Sequence, residues 1–226
     1  MVQNNEYGKR VWAGDPKTVA EARTKYQADP EGQLIPFAVA LYSFRMNEKF
    51  AKELLELRQP LMVRAQEFGQ IPQKKLLPHQ EHMNLLDVLS TYLEWMSRRK
   101  VLSPSERKRL LDTAYRTATY GATLATHQFK ASEHVWELLT LTAARTLIGQ
   151  QNYRGAVRLL NDVVEFAPSI ADANQRTRVY RKLGLLYRMR FRFVRGFYWG
   201  IRACVVPGVP LAVRAKSVAA LLGIDR

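Results

Sequence analysis

Apolar positions along this chain recur at intervals of three and four. Leu54, Leu55, Leu57 and Leu61 form one such run, Leu85, Leu86, Leu89 and Leu93 a second, and Val157, Leu159, Leu160, Val163 and Val164 a third. That spacing lays an apolar stripe along one side of an α-helix. The boundaries between runs carry helix-end chemistry. Asp15-Pro16 and Asp29-Pro30 each offer a side-chain acceptor followed by proline at the first helical position. Ser103-Pro104-Ser105-Glu106 adds a glutamate at the third position and reads as a full capping box. Ser169-Ile170-Ala171-Asp172 is a weaker version, and Gly69 and Gly149 stand where left-handed residues would close helices.

Strand signals are thin. No Asn-Gly or Asp-Gly pair joins alternating apolar runs, and the one alternating stretch, Arg190 to Arg195, reads equally as a turn between helices. The pattern therefore predicts an all-α fold of about ten helices, with 69–79 as the longest loop. A break near Lys100-Val101-Leu102-Ser103-Pro104 divides N-terminal helical hairpins (1–100) from a second set of helices (101–226).

Within that second set, Tyr180, Leu183, Gly184 and Tyr187 are spaced as Y-x-x-L-G-x-x-Y, with the small Gly196 nine residues after Tyr187. The preceding unit has Ala144 and Leu147, then Ala156, Leu160 and a closing Pro168, with Tyr153 and Val163 at bulky positions. These residues resemble the tetratricopeptide repeat, in which a small residue lets paired helices approach and aromatics fill the groove between them. The departures are Thr140 where the first helix's aromatic belongs, Gly200 at a bulky position, and a spacing of 40 residues instead of about 34. Phe37, Ala40, Phe44 and Phe50 give a fainter upstream echo, broken by Glu53 at its small position. The resemblance covers roughly residues 137–207 and implies an α-solenoid of helical-hairpin repeats that works as a protein–protein adaptor.

Charge changes the picture more than composition does. The 226 residues are 47% hydrophobic and 24% charged, as in a folded globular protein, and the single Cys204 excludes an internal disulfide framework. The formal net charge is +15, and Arg outnumbers Lys 23 to 12. Residues 173–224 contain eleven basic side chains and no Asp or Glu, whereas the first 172 residues carry 23 basic and 19 acidic groups. On a helical wheel, Arg178, Arg181, Lys182, Arg188 and Arg192 share one arc, opposite Val179, Tyr180, Leu183, Leu186 and Tyr187. With Arg195 and Arg202 they form the candidate surface for an anionic partner.

Three partners fit such a surface. An acidic protein segment or assembly neighbour suits a repeat scaffold best. Nucleic acid would use the arginines for phosphates and Phe191, Phe193, Phe197, Tyr198 or Trp199 for stacking, unless these rings fill the core. An anionic membrane surface would meet Phe197-Tyr198-Trp199 and the amphipathic 211–222 helix.

Catalytic and metal motifs are absent. His79 and His82 flank Glu81 but lack the His-Glu-x-x-His arrangement, with His79 expected at the helix start, and His127 and His134 have no local partner pattern. There is no Gly-x-Ser-x-Gly elbow and no glycine-rich phosphate loop, and Cys204 lies in an apolar run where a buried, inert thiol is expected. Glu48, Glu53 and Glu56 are interleaved with Lys49, Lys52 and Arg58 as surface pairs. The sequence thus predicts a binding protein and not an enzyme, with no cofactor, metal or small-molecule substrate. No signal-like or membrane-spanning stretch is seen, so a cytoplasmic location is the expectation.

Overall fold

A computed structural model describes residues 17–70, 79–127, 135–188 and 193–222, and every regular element among them is helical. Eleven α-helices occur in these residues: α1 (Lys17–Ala28), α2 (Pro30–Ser43), α3 (Glu48–Glu56), α4 (Arg58–Gln70), α5 (His79–Ser97), α6 (Pro104–His127), α7 (Val135–Gly149), α8 (Tyr153–Phe166), α9 (Ala173–Arg188), α10 (Phe193–Cys204) and α11 (Leu211–Leu222). The expected all-α class is what forms. The chain divides into two compact units, 1–117 and 118–226, and the division falls within α6. Lys100 to Ser103 form the turn between α5 and α6.

The helix ends are built largely as the sequence predicts. Asp29 accepts from the Gly32 amide at 3.0 Å, with Pro30 opening α2. Ser103 Oγ accepts from the Glu106 amide at 3.3 Å while Glu106 Oε2 accepts from the Ser103 amide at 3.1 Å, so both halves of the box are made. Asp15-Pro16 lies outside the described residues.

Three ends differ from expectation. Asp172, not Ser169, caps α9, accepting from the Gln175 amide at 2.8 Å. Ser169 is already committed to the preceding turn, where its hydroxyl donates to the Phe166 carbonyl at 2.7 Å. Gly69 and Gly149 both lie inside their helices, and the left-handed residue after α7 is Gln151, at φ 63°. Its amide donates to the Ile148 carbonyl and that of Asn152 to Leu147, which is the Schellman closure. The helix therefore runs two residues past the point that the glycine suggested.

In the first unit, Leu34, Phe37, Leu41, Leu54, Leu61, Leu89, Leu93 and Met96 make a continuous core, closed by Leu110 and Ala114 from the start of α6. Half-buried ion pairs tie its helices together: Arg23 grips Glu53 with two 2.7 Å hydrogen bonds, and Arg58 reaches Glu106 at 3.1 Å. Glu53, the residue that breaks the upstream repeat echo, thus serves as a cross-helix anchor.

The second unit is built on two helical hairpins, α7–α8 and α9–α10, with α11 packed on both members of the latter. The α9–α10 crossing is set by glycines. A Cβ on Gly184 would stand 3.0 Å from the Gly200 nitrogen and 3.1 Å from the Gly196 oxygen. One on Gly196 would meet the Arg188 backbone nitrogen at 3.0 Å. Gly184 thus faces Gly200 while Arg188 faces Gly196, the register of an antiparallel pair packed backbone to backbone.

Candidate anion-docking surface

The arc predicted to face the core of α9 does so: Val179, Tyr180, Leu183, Leu186 and Tyr187 are all buried. Helical geometry then turns Arg178, Arg181 and Lys182 the other way; Arg178 is exposed and the other two are half-buried. Arg192 and Phe191 lie outside the described residues. Arg195 is exposed at the start of α10, its guanidinium 6.0 Å from the centre of the Tyr187 ring.

Two of the predicted cations hold the fold. Arg188 donates from Nη1 to the Leu221 carbonyl at 2.7 Å and from Nη2 to the Ala220 carbonyl at 2.6 Å. Those carbonyls belong to the last turn of α11, which lacks intrahelical donors and carries the negative end of the helix dipole. Arg202 sits among rings, its guanidinium carbon 5.3 Å from the centre of Tyr180 and 5.7 Å from those of Tyr198 and Trp199. Its Nη1 donates to the Tyr198 hydroxyl at 2.9 Å, and that bond raises the Arg202 pKa. Arg176 also turns inward, donating to the Ile170 carbonyl at 2.8 Å. The roles of Arg188 and Arg176 have no local sequence signal, since their acceptors are backbone carbonyls, whereas Arg202 and its acceptor Tyr198 stand four residues apart on one helix.

The aromatic run divides by face. Trp199 is buried against Tyr180, with ring centres 5.1 Å apart, whereas Phe197 and Tyr198 are about half exposed. The sequence reading missed how much apolar surface accompanies them. Thirteen large hydrophobic side chains are exposed among the described residues, and eight of them lie between Val194 and Leu222. Cys204 is half-buried instead of fully buried, and burial pushes its thiol pKa up.

Elsewhere in this unit a cavity of about 160 Å³ is lined by Thr119, Thr123, Trp136, Thr140, Leu159 and Asp162 among others. Thr140 occupies the position where the repeat pattern calls for an aromatic, and the small side chain leaves space there. In the first unit, His82 is fully buried and lies edge-on to Phe68, with ring centres 5.7 Å apart. No group of three or more potential metal ligands occurs among the described residues. No helix of the described residues is long and apolar enough to cross a membrane.

Fold and surface together define an all-helical protein whose second unit carries a cationic, partly apolar outer face. Compared with family models, with curated proteins and with solved structures, the chain matches none.

Proposed function

We propose that this protein is a non-enzymatic scaffold of helical-hairpin repeats, tetratricopeptide-like in its second unit, that docks an acidic protein segment within a larger assembly. The observation that carries this reading is the absence of any Asp or Glu from 173–224 alongside eleven basic residues. Ordinary solvated helices intersperse both signs, because a one-sign surface repels itself. Arg178, Arg181 and Lys182 on the outer arc of α9, with Arg195 on α10, are the docking cations. Arg188, Arg202 and Arg176 order the elements that present them.

The test compares wild type with an Arg178→Glu, Arg181→Glu, Lys182→Glu variant whose helicity by circular dichroism is unchanged. Each is titrated, by anisotropy, against a labelled glutamate-rich peptide and a single-stranded RNA of about 20 nucleotides, in salt up to about 150 mM. Peptide binding that survives that salt and weakens about tenfold or more in the variant is the expected result. Submicromolar RNA binding with a slope of several released counterions would replace the reading with a nucleoprotein one. Loss of all binding by 150 mM, equally in both proteins, would overturn it.

A further inference from the structure

The exposed apolar side chains of α10 fall in a defined order. Val194, Tyr198 and Ile201, with Val205 one residue beyond the helix, follow one another at intervals of four, three and four, on the side away from Gly196, Gly200 and Ala203; Phe197, about half exposed, borders them. Val194 is 85% exposed and Tyr198, Ile201 and Val205 are 51%, 53% and 62% exposed among the described residues.

Four-three-four spacing is the seam of a coiled coil. The register is d-a-d-a. It places Arg195 and Arg202, seven residues apart, at successive e positions, and Phe197 at g. The e and g side chains of a coiled coil border the seam and choose the partner by charge. Arg202 is already fixed beside the seam by the Tyr198 hydroxyl, so little of its freedom remains to be lost on binding.

We infer that α10 forms a docking seam for an acidic amphipathic helix of a partner protein, its apolar residues seated on the stripe and its carboxylates against Arg195 and Arg202. Charge decides the occupant. A second copy of this face brings no carboxylate between 173 and 224 and would set cations against cations. This inference rests on the acidic-partner reading and names where the partner lies.

The probe is a labelled three-heptad helical peptide with leucine at a and d and glutamate at e and g; its control carries lysine at e and g. The titrations use the full chain, an Ile201→Ser variant, a Val194→Ser, Val205→Ser variant and an Arg195→Glu variant. All the substituted side chains are exposed, so circular dichroism is expected to be unchanged. Wild type should bind the acidic peptide and not the lysine control, and each variant should weaken binding about tenfold or more. Wild-type affinity in both serine variants, with loss in the α9 charge-reversal variant, would overturn the seam and leave the acidic-partner reading standing. Loss in the serine variants with no effect of α9 reversal would keep the seam and remove the α9 cations from the docking site. Two other results would overturn the seam's assignment to a helix. One is retention on vesicles containing phosphatidylserine, lost in the serine variants while the peptide does not bind. The other is a dimer in sedimentation velocity that the same variants dissociate.

Discussion

Both ring nitrogens of His82 are buried without a hydrogen-bond partner among the described residues, and burial holds its pKa below the usual imidazole value. The folded protein therefore resists a proton that the unfolded chain takes up near pH 6.5. Above that pH both states are neutral and His82 contributes no pH dependence. As pH falls below about 6.5 the unfolded state gains a proton and stability declines, until the folded-state pKa is reached. The limiting slope is ~1.4 kcal/mol per pH unit. Urea midpoints of wild type and His82→Leu, followed from pH 8 to pH 5, should be parallel above pH 7, and below it the wild-type midpoint should fall relative to the variant's. Parallel curves throughout would mean that His82 is protonated as easily in the fold as out of it.

At the scale of elements, α11 depends on one side chain from another helix. The two Arg188 hydrogen bonds close its last turn, and a charge-assisted bond of this kind contributes about 1.5–3 kcal/mol. Arg188→Met keeps the aliphatic stem and removes both donors. Amide exchange in 211–222 should then rise about tenfold or more, with α7 and α8 unchanged. Unchanged exchange in α11 would show that its packing on α9 and α10 suffices.

The same helices show what the sequence could and could not disclose. The Asp29 and Ser103–Glu106 caps were legible because donor and acceptor lie within three residues of each other. The buried face of α9 was legible because Val179, Leu183 and Leu186 are apolar while Arg178, Arg181 and Lys182 are not. α10 was not, since apolar residues occur nearly all round it and periodicity cannot choose between Trp199 and Ile201 as the inner side chain. Gly196 and Gly200 make that choice, because only their face can meet Gly184 backbone to backbone. The opposite face is left outside, and the exposed seam follows from it. Gln151 in the left-handed region was equally hidden, since Gly149 nearby advertised an earlier stop.

For the molecule as a whole, the uneven charge carries a cost that salt should relieve. Residues 173–224 hold eleven cations and no carboxylate, so these cations repel one another, whereas the first unit mixes both signs and pairs several of them. Repulsion of this kind favours the expanded chain and acts over a Debye length, ~30 Å at 0.01 M ionic strength and ~8 Å at 0.15 M. Raising sodium chloride between those values should slow amide exchange in α9, α10 and α11 more than in α1 to α5. An acidic partner supplies the missing charges directly and should give the same protection at 0.01 M ionic strength, when added at concentrations too small to change the screening. Hydrogen exchange followed by mass spectrometry, with sodium chloride and then with the glutamate peptide, separates screening from docking. Both protect α9, α10 and α11, but a docked helix shields the turns of α10 around Tyr198 and Ile201 beyond the level that salt reaches. Protection by salt that the peptide cannot reproduce would identify the charge as a general repulsive load. Protection by the peptide that exceeds that of salt around Tyr198 and Ile201 would identify it as the border of a binding surface.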